Sequence, residues 1–315
     1  MQTRLTKLLG IQYPVLMAPM FLVSNVAMVK AAAANGIAGC IPALNYRSNQ
    51  ELRKAMTELQ AAEICYGINL IVNKSNYKFQ DQLNLVLEFK VPFVITSLGN
   101  PSKVIEACKP KGIFVFCDVS TIEYAHKAAA LKPDGLIAVT NQAGGHLGPL
   151  APQELVPELI RLFPDLLIIS AGGVGDYKSL NEKLELGVDG VSIGTVFIAS
   201  EEADVCIEYK QACVDYSAKD IVCTNKLSGI PCTVINTEYV KKIGTQQNAL
   251  QKLLSKNKTL KKWFKLWTYK RGMDTLYNSA FDAGYHNVWC AGTTIEYIDA
   301  IRPVSEIVKR IVGKK

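Results

Sequence analysis

The sequence predicts an α/β fold, a (β/α)8 TIM barrel with a mostly helical lid insertion near the C-terminus. Eight short apolar runs alternate with amphipathic segments between residues 15 and 195. The runs are apolar almost throughout, as expected of parallel strands that are covered on both faces. Glycine-rich segments accompany the last two runs, where such barrels often bind phosphate. A chain of 315 residues is long enough for one barrel with an additional lobe.

The candidate elements follow one another in a regular order. The eight candidate strands are Val15–Met20, Ile37–Ala43, Tyr66–Val72, Phe93–Leu98, Ile113–Val119, Leu136–Thr140, Leu167–Ala171 and Val191–Thr195. Amphipathic segments between them include Ser48–Glu63, Gln80–Lys90, Thr121–Leu131, Pro152–Phe163 and Lys178–Leu186. A doubly wound open sheet is the alternative, but it would place a G-x-G-x-x-G motif after the first strand, where none is found. The strand count therefore favours the barrel.

Residues 204–287 interrupt this order, and we expect them to form a helical lid or substrate domain. The barrel is assigned to residues 1–203 and 288–315, with a C-terminal amphipathic helix from Thr294 to about Val312. Within the lid, residues 252–271 carry eight lysines and arginines, four aromatic residues and no acid. A patch for nucleic acid or an acidic carrier is one interpretation. An amphipathic helix with solvated lysines is the one we favour.

Composition narrows the class of protein. Apolar residues make up 49% and charged residues 20% of the chain, as in ordinary soluble domains. There is no apolar run of 18 residues and no apolar signal core in the first residues, so we expect a cytoplasmic protein without membrane contact. The nine cysteines are odd in number and contain no C-x-x-C pair, which favours reduced buried thiols over disulfides or a metal site. A net charge of +7 suits anionic ligands and does not by itself indicate nucleic-acid binding.

The two glycine-rich segments predict a phosphate site. They are Ser170–Asp176 and Gly187–Thr195, on neighbouring strands. Glycines at such turns expose backbone N–H groups with no Cβ in the way. Tight turns without a ligand are the alternative, which is less favoured when two such turns adjoin. We therefore expect phosphate to contact Gly172, Gly173, Gly194 and Thr195.

Other residues at predicted strand ends suit a flat ring and proton transfer. Backbone groups of Ala18 and Pro19 could lie against a ring, with Met20 as a polarizable platform, although an ordinary turn explains them equally well. Asn69 is a polar amide within a strand, which needs a partner such as a uracil-like ring edge or a neighbouring strand. His146 follows two glycines at the predicted catalytic face, where a general base or an anion donor is expected.

These segments together resemble the nitronate monooxygenase, or 2-nitropropane dioxygenase, family. That family also includes FMN-dependent enoyl-acyl-carrier-protein reductases and NAD(P)H:quinone reductases. The resemblance extends from about Gln12 to Ala203 and returns near Trp289–Ile295. It rests on Val15–Met20, Gly67–Asn69, Asn141–Gly148, Ser170–Gly173 and Val191–Ala199. The Ala-Gly-Gly-His-x-Gly segment, with Gly-Thr-x-Phe-x-Ala downstream, is its most specific part.

The resemblance implies a flavin enzyme with one non-covalent FMN; the expectation of no metal comes from the cysteine pattern given above. Matching family positions bind FMN through Ala18, Pro19, Met20, Asn69, Gly144, Gly145, Gly172, Gly173, Gly194 and Thr195. The histidine that matches His146 lies on the substrate side, where it assists deprotonation or anion binding. In the monooxygenases the flavin is reduced by an alkyl nitronate and reoxidised by O2. In the reductases it takes hydride from NAD(P)H. The basic stretch 252–271 would suit an acidic acyl-carrier protein as a partner, and a homodimer is a further expectation.

Two departures from the family pattern leave the substrate open. Val139 stands where many members have glutamine, and Thr293 stands where members often have the glutamine of Ala-Gly-Gln. A barrel related to IMP dehydrogenase is a third reading, but its nucleophilic cysteine is missing from residues 144–150. A non-catalytic flavin store is the fourth, and the role of His146 distinguishes it from an enzyme.

Overall fold

A computed structural model describes residues 1–73, 75–226, 230–246, 276–281 and 287–314 of the chain. The predicted barrel is confirmed: eight parallel strands pair in sequence order and close, because β1 pairs with both β2 and β8. Closure leaves no unpaired strand edge. The strands β1 to β8 are Val15–Met17, Ala38–Pro42, Tyr66–Ile71, Phe93–Ser97, Phe114–Val119, Gly135–Val139, Leu167–Ala171 and Gly190–Ile193.

The first and last strands are shorter at their C-terminal ends than the apolar runs suggested. β1 ends at Met17 because the chain turns at Pro19, which has no N–H for a sheet ladder. β8 ends at Ile193, and the chain then enters a single 3-10 turn, Thr195–Phe197. Both departures place the residues predicted to bind a ligand in loops at the C-terminal face of the barrel.

Helices cover the outside of the barrel, and several of them begin at a polar side-chain cap. In α3 the Ser48 side chain accepts from the Glu51 N–H, while the Glu51 carboxylate accepts from the Ser48 N–H. Asp176 and Ser179 form the equivalent box at the start of α8. The helices α1 to α12 of the described residues are Arg4–Leu9, Val26–Ala34, Asn49–Ala61, Phe79–Phe89, Ser102–Cys108, Ile122–Ala129, Pro152–Leu162, Tyr177–Glu185, Ile207–Asp215, Glu238–Ile243, 276–281 and Val304–Val312.

The interior of the barrel changes from large apolar residues to small or polar ones towards its mouth. The lower layers contain Leu16, Phe93, Ile95, Phe116, Ile137, Leu167 and Ile169. Side chains alternate along a strand, so the residue two positions after an inward one also faces inward. At the C-terminal strand ends these residues form what we call the mouth layer: Ala18, Pro42, Asn69, Ser97, Asp118, Val139, Ala171 and Gly194.

The predicted lid segment contains a small sheet that the sequence reading missed. Strands β9, Ile221–Thr224, and β10, Cys232–Ile235, pair in antiparallel fashion beside the helices α9 to α11. Both strands are rich in β-branched residues and lie seven residues apart, which is a usable hairpin signal. The basic stretch 252–271 lies outside the described residues. The boundary of the lid at 204–287 stays a prediction.

The predicted C-terminal helix from Thr294 to Val312 is wrong in its first half. The chain forms a 3-10 turn, Thr293–Tyr297, and a separate helix, α12, that begins at Val304. Pro303 explains the break, because the residue before a proline is driven out of the helical region. The remaining helix is amphipathic and buries five residues. It therefore still covers the barrel as expected.

Cysteine burial is mixed. All nine cysteines are free thiols; five are buried, three are half-buried and Cys223 is exposed. Within the described ranges, no group of three or more histidine, cysteine, aspartate or glutamate side chains is arranged to hold a metal ion. None of the helices that could be searched is long and apolar enough to cross a bilayer.

Candidate active site

The loop after β7 contains two glycines, Gly172 and Gly173, at positions where any side chain would displace neighbouring atoms. Gly172 and Gly173 have φ values of +100° and +80°, in the left-handed region that favours glycine. A Cβ on Gly172 would lie 2.4 Å from the Ala143 nitrogen. A Cβ on Gly173 would lie 2.0 Å from Oε1 of Gln142. The loops after β6 and β7 are therefore packed backbone to backbone at the mouth.

The end of β8 lies against the end of β1. The Ala18 N–H donates to the Ile193 carbonyl at 2.8 Å, and a Cβ on Gly194 would come within 3.5 Å of Met20. The Ser24 hydroxyl fixes the turn between them, because it donates to the Ala18 carbonyl and accepts from the Met20 N–H. The structure thus brings together predicted site residues from the two ends of the barrel sequence.

Thr195 also has a structural role that the sequence did not suggest. Its Oγ1 accepts from the Gly292 N–H at 2.9 Å, which joins β8 to the C-terminal return of the chain. Gly144 is wedged at the same point, since a Cβ there would lie 2.5 Å from Thr195 Oγ1 and 2.8 Å from the Gly292 nitrogen. The hydroxyl proton of Thr195 remains able to donate to a ligand.

The loop that carries His146 is fastened to the lid sheet. Gly145 donates its N–H to Oγ1 of Thr233 at 2.9 Å, and its carbonyl accepts from the Thr233 N–H at 2.8 Å. His146 itself forms a β-bridge with Cys232. His146 as a whole residue is exposed, yet desolvation by the protein around its imidazole lowers the pKa of His146 below the ordinary histidine value. A neutral imidazole at neutral pH can accept a proton.

Asn69 is held by a neighbouring strand, which is the alternative left open by the sequence. Its Nδ2 donates to the Ile95 carbonyl at 3.1 Å and to the Ser97 hydroxyl at 2.7 Å. A carbonyl can only accept, so this contact fixes which end of the amide is the nitrogen. With both N–H groups used, Asn69 offers a ligand only its Oδ1 acceptor, not the donor and acceptor pair expected of a free amide.

Asp118 was not identified from the sequence. Its Oδ2 accepts from the Ser97 hydroxyl at 2.5 Å, next to Asn69 in the mouth layer. Burial raises the pKa of Asp118 to about 6, against the opposing effect of the Ser97 hydrogen bond. The sequence does contain a signal that could have identified it: Ser97 and Asp118 are polar residues near the ends of two consecutive apolar runs.

A buried lysine lies beside the glycine loop. Lys183, on α8, is 5% exposed and donates from Nζ to Gln142 Oε1 at 2.7 Å. Nζ would lie 3.0 Å from a Cβ on Gly173. Desolvation lowers the pKa of Lys183. No carboxylate within the described part of the chain lies within ion-pair distance of it. Nothing in the sequence separates this lysine from Lys178, the exposed lysine on the same helix.

The residues at the mouth fit a phosphorylated flat ring. Gly172 and Gly173 provide backbone turns without side chains, and a buried ammonium lies next to them. The mouth layer is made of small or polar residues and contains no aromatic or long aliphatic side chain that would oppose a ring at this end of the barrel. Asn69 presents an acceptor there, and His146 lies on a loop at the same face. All ten predicted binding positions and His146 belong to loops or strand ends at this face.

Comparisons with known proteins agree on one family. The family model described as nitronate monooxygenase matches residues 62–314. A probable nitronate monooxygenase of Staphylococcus saprophyticus is 27% identical over 85% of this chain and 91% of its own length. An octahydro-1H-indene-4-carboxyl-CoA dehydrogenase of Rhodococcus jostii is also 27% identical, over 77% of this chain and 68% of its own. The solved structure of FabK from Thermotoga maritima matches with a TM-score of 0.84 and 27% identity, covering 99% of this chain and 96% of that one.

Proposed function

Because the chain belongs to the nitronate monooxygenase family and is an oxidoreductase, we propose that it is an FMN-dependent enzyme that oxidises alkyl nitronates with O2. The observation that carries this proposal is the arrangement of a glycine turn, a mouth layer of small and polar residues and a neutral histidine at one end of the barrel. Barrels of this kind form their active sites at that end.

In the proposed enzyme the protein binds and orients, and the cofactor supplies the electron transfer. N–H groups of the turns at Gly172–Gly173 and Gly194–Thr195 would hold the phosphate, next to the ammonium of Lys183. Ala18, Pro19 and Met20 would line one side of the ring, and Oδ1 of Asn69 would accept from a ring N–H. Gly144 and Gly145 keep the histidine loop close to the chain's return.

His146 is the group that we assign to proton transfer. Its lowered pKa keeps the imidazole neutral at neutral pH, so it can donate an N–H to a nitronate that binds as the anion. Where the neutral nitroalkane binds instead, the imidazole can accept its α-proton, which yields the nitronate and an imidazolium. His146→Ala should leave FMN bound and lower turnover roughly 100-fold. His126→Ala is the matched control, since His126 packs edge-on against Phe163 on the helical layer.

The pH profile tests the same role of His146. Activity that needs the neutral imidazole should fall as the pH drops through the lowered pKa, below the range of an ordinary histidine. This acid limb should be absent from the residual activity of His146→Ala. Equal turnover of wild type and His146→Ala would favour a non-catalytic flavin store.

Stopped-flow spectroscopy under argon tests the proposed substrate. FMN-loaded protein is mixed separately with propionate-3-nitronate and with NADPH or NADH, and the visible flavin band is followed. Rapid bleaching by the nitronate and not by the pyridine nucleotides supports the proposal. Bleaching by NAD(P)H alone would replace it with a reductase, and a purified protein that retains no FMN would contradict both.

The second candidate is an NAD(P)H-dependent flavin reductase that acts on an enoyl thioester or a quinone. It is favoured by the similarity to a carboxyl-CoA dehydrogenase, whose name indicates a thioester substrate. The basic stretch 252–271 would suit an acidic acyl-carrier protein. Reversal of its charges should then abolish carrier-linked turnover and spare small-molecule turnover. Unchanged carrier kinetics would remove this support.

Two further proposals concern the setting of the enzyme and rest on the sequence and the family resemblance. We place it in the cytoplasm, in agreement with the nine free thiols, and expect a homodimer with no nucleic-acid partner. Sedimentation velocity of the purified protein tests the dimer.

A further inference from the structure

We propose that Asp118, acting through Ser97, positions the Asn69 amide and sets the charge of the mouth layer beneath the flavin. This inference rests on the proposed function, because it concerns the cofactor that the mouth would hold. Asp118 is a positioning residue here: it touches Ser97, and Ser97 touches Asn69.

The hydrogen bonds run in one direction across the ends of three adjacent strands. Asn69, on β3, donates to Ser97, on β4, at 2.7 Å, and Ser97 donates to Asp118, on β5, at 2.5 Å. Because the Ser97 oxygen already accepts from Asn69, its single proton is free to go to the carboxylate. An ionised Asp118 therefore holds the serine hydroxyl, and the hydroxyl holds the amide with its Oδ1 available as an acceptor.

The charge of Asp118 has no partner of opposite sign in the described residues, where no ion pair to it is found. Cys40, across the barrel, and Cys117, beside it, are the ionisable groups that respond to its charge. Burial raises the pKa of both thiols, to about 12 for Cys117, so both are neutral near pH 6. The neighbouring inward positions on β6, Ile137 and Val139, carry no ionisable group.

His146, on the loop after β6, also lies at this face with a lowered pKa, and it is present in every protein compared below. Within the mouth layer itself, Asp118 is the one ionisable side chain. Since burial raises its pKa to about 6, the mouth layer carries one negative charge above that pH and none below it. Flavin gains negative charge on reduction, and a nearby carboxylate disfavours that gain. The ionised side chain of Asp118 would thus lower the midpoint potential of the bound cofactor at neutral pH. Protonation of Asp118 at lower pH would remove this lowering.

The test measures the midpoint potential of bound FMN from pH 5 to pH 8 in four proteins. Wild type should show a change of slope near pH 6. Asp118→Asn should lack this change and, at pH 7.5, bind reduced relative to oxidised FMN about tenfold more tightly, a rise of roughly 30 mV for a two-electron couple. Asp134→Asn is the matched control, since Asp134 accepts from the Val115 N–H at the other end of β5; it should match wild type.

Ser97→Ala is the fourth protein, and it makes the test independent of how well Asp118→Asn folds. The hydrogen bond from Ser97 lowers the pKa of Asp118. Its loss in Ser97→Ala should therefore raise that pKa and move the change of slope to higher pH. It should also weaken FMN binding several-fold by freeing the Asn69 amide, and Ser97→Thr should restore that binding. A change of slope that does not move in Ser97→Ala would overturn the proposal, as would a wild-type profile in Asp118→Asn. A wild-type protein without FMN would instead contradict the proposed function.

Discussion

At the scale of single residues, the candidate site depends on two neighbouring glycines, Gly144 and Gly145, which have no Cβ atom. Gly144 lies where the histidine loop, the end of β8 and the C-terminal return meet, with Thr195 Oγ1 and the Gly292 nitrogen closer than any real Cβ allows. Gly145, the next residue, has open space around it and a φ of +72°. The two neighbouring glycines are therefore needed for different reasons, close approach and backbone conformation.

Alanine substitution separates these two reasons. Gly144→Ala should destabilise the protein by about 2 kcal/mol or more and reduce FMN content, because backbone atoms must move to admit the methyl group. Gly145→Ala should cost only about 1 kcal/mol, the strain of a positive φ. Urea unfolding and the flavin-to-protein ratio of the purified variants measure both effects. Equal losses in the two variants would contradict the close packing at Gly144.

At the scale of elements, α8 contacts the loop after β6 as well as the loop after β7, the strand that precedes it in the chain. Lys183, near the end of α8, extends to Gln142 in the loop after β6 and lies beside Gly173 in the loop after β7. The buried ammonium of Lys183 donates to the neutral amide of Gln142, which does not neutralise its charge, so its desolvation is costly. A bound phosphate next to it would offset that cost.

The substitution Lys183→Met tests this idea through two quantities, the stability of the protein without cofactor and its affinity for FMN. Without cofactor the variant should be as stable as wild type or more stable, because an unpaired buried charge is removed. FMN should bind about tenfold more weakly, whereas riboflavin, which has no phosphate, should bind equally well to both proteins. Lys178→Met, on the exposed face of the same helix, is the control and should change neither affinity. Equal losses for FMN and riboflavin would argue against a phosphate role.

At the scale of the whole molecule, the lid sheet connects two parts of the barrel mouth. Strand β10 pairs with the histidine loop through Thr233 and with the C-terminal return, where the Ile235 N–H donates to the Trp289 carbonyl at 2.9 Å. The return in turn donates from Gly292 to Thr195. The position of His146 therefore depends on the lid as well as on the barrel.

Thr233→Val should loosen the contact between the lid and the histidine loop with little change in side-chain volume, while the backbone bond from the Thr233 N–H to the Gly145 carbonyl stays. The Gly145 N–H loses its acceptor, which costs about 1–3 kcal/mol where the group is buried. We expect kcat/KM to fall about tenfold while FMN stays bound. Thr224→Val, on the partner strand, loses a contact with the Thr245 carbonyl and should keep its activity. Wild-type kinetics in Thr233→Val would show that the lid does not set the position of His146.

The barrel could be predicted because its signals are local. Each buried parallel strand is a continuous apolar run, so the observed ends of β2 to β7 lie within one residue of the predicted ones. The hairpin of β9 and β10 was missed, because four-residue strands in a polar segment give a weak period. The C-terminal helix was predicted too long, because periodicity outweighed the break at Pro303.

The sequence by itself determined the strand order, the glycine turns and the histidine loop, since each depends on residues that are neighbours along the chain. Only the tertiary structure decided that Asp118 meets Ser97, that Lys183 meets Gln142 and that Thr233 holds Gly145. Those pairs lie between 21 and 88 residues apart. Contacts over such separations are made by barrel closure and by burial, and a buried polar side chain finds its partner only when the strands around it have already come together.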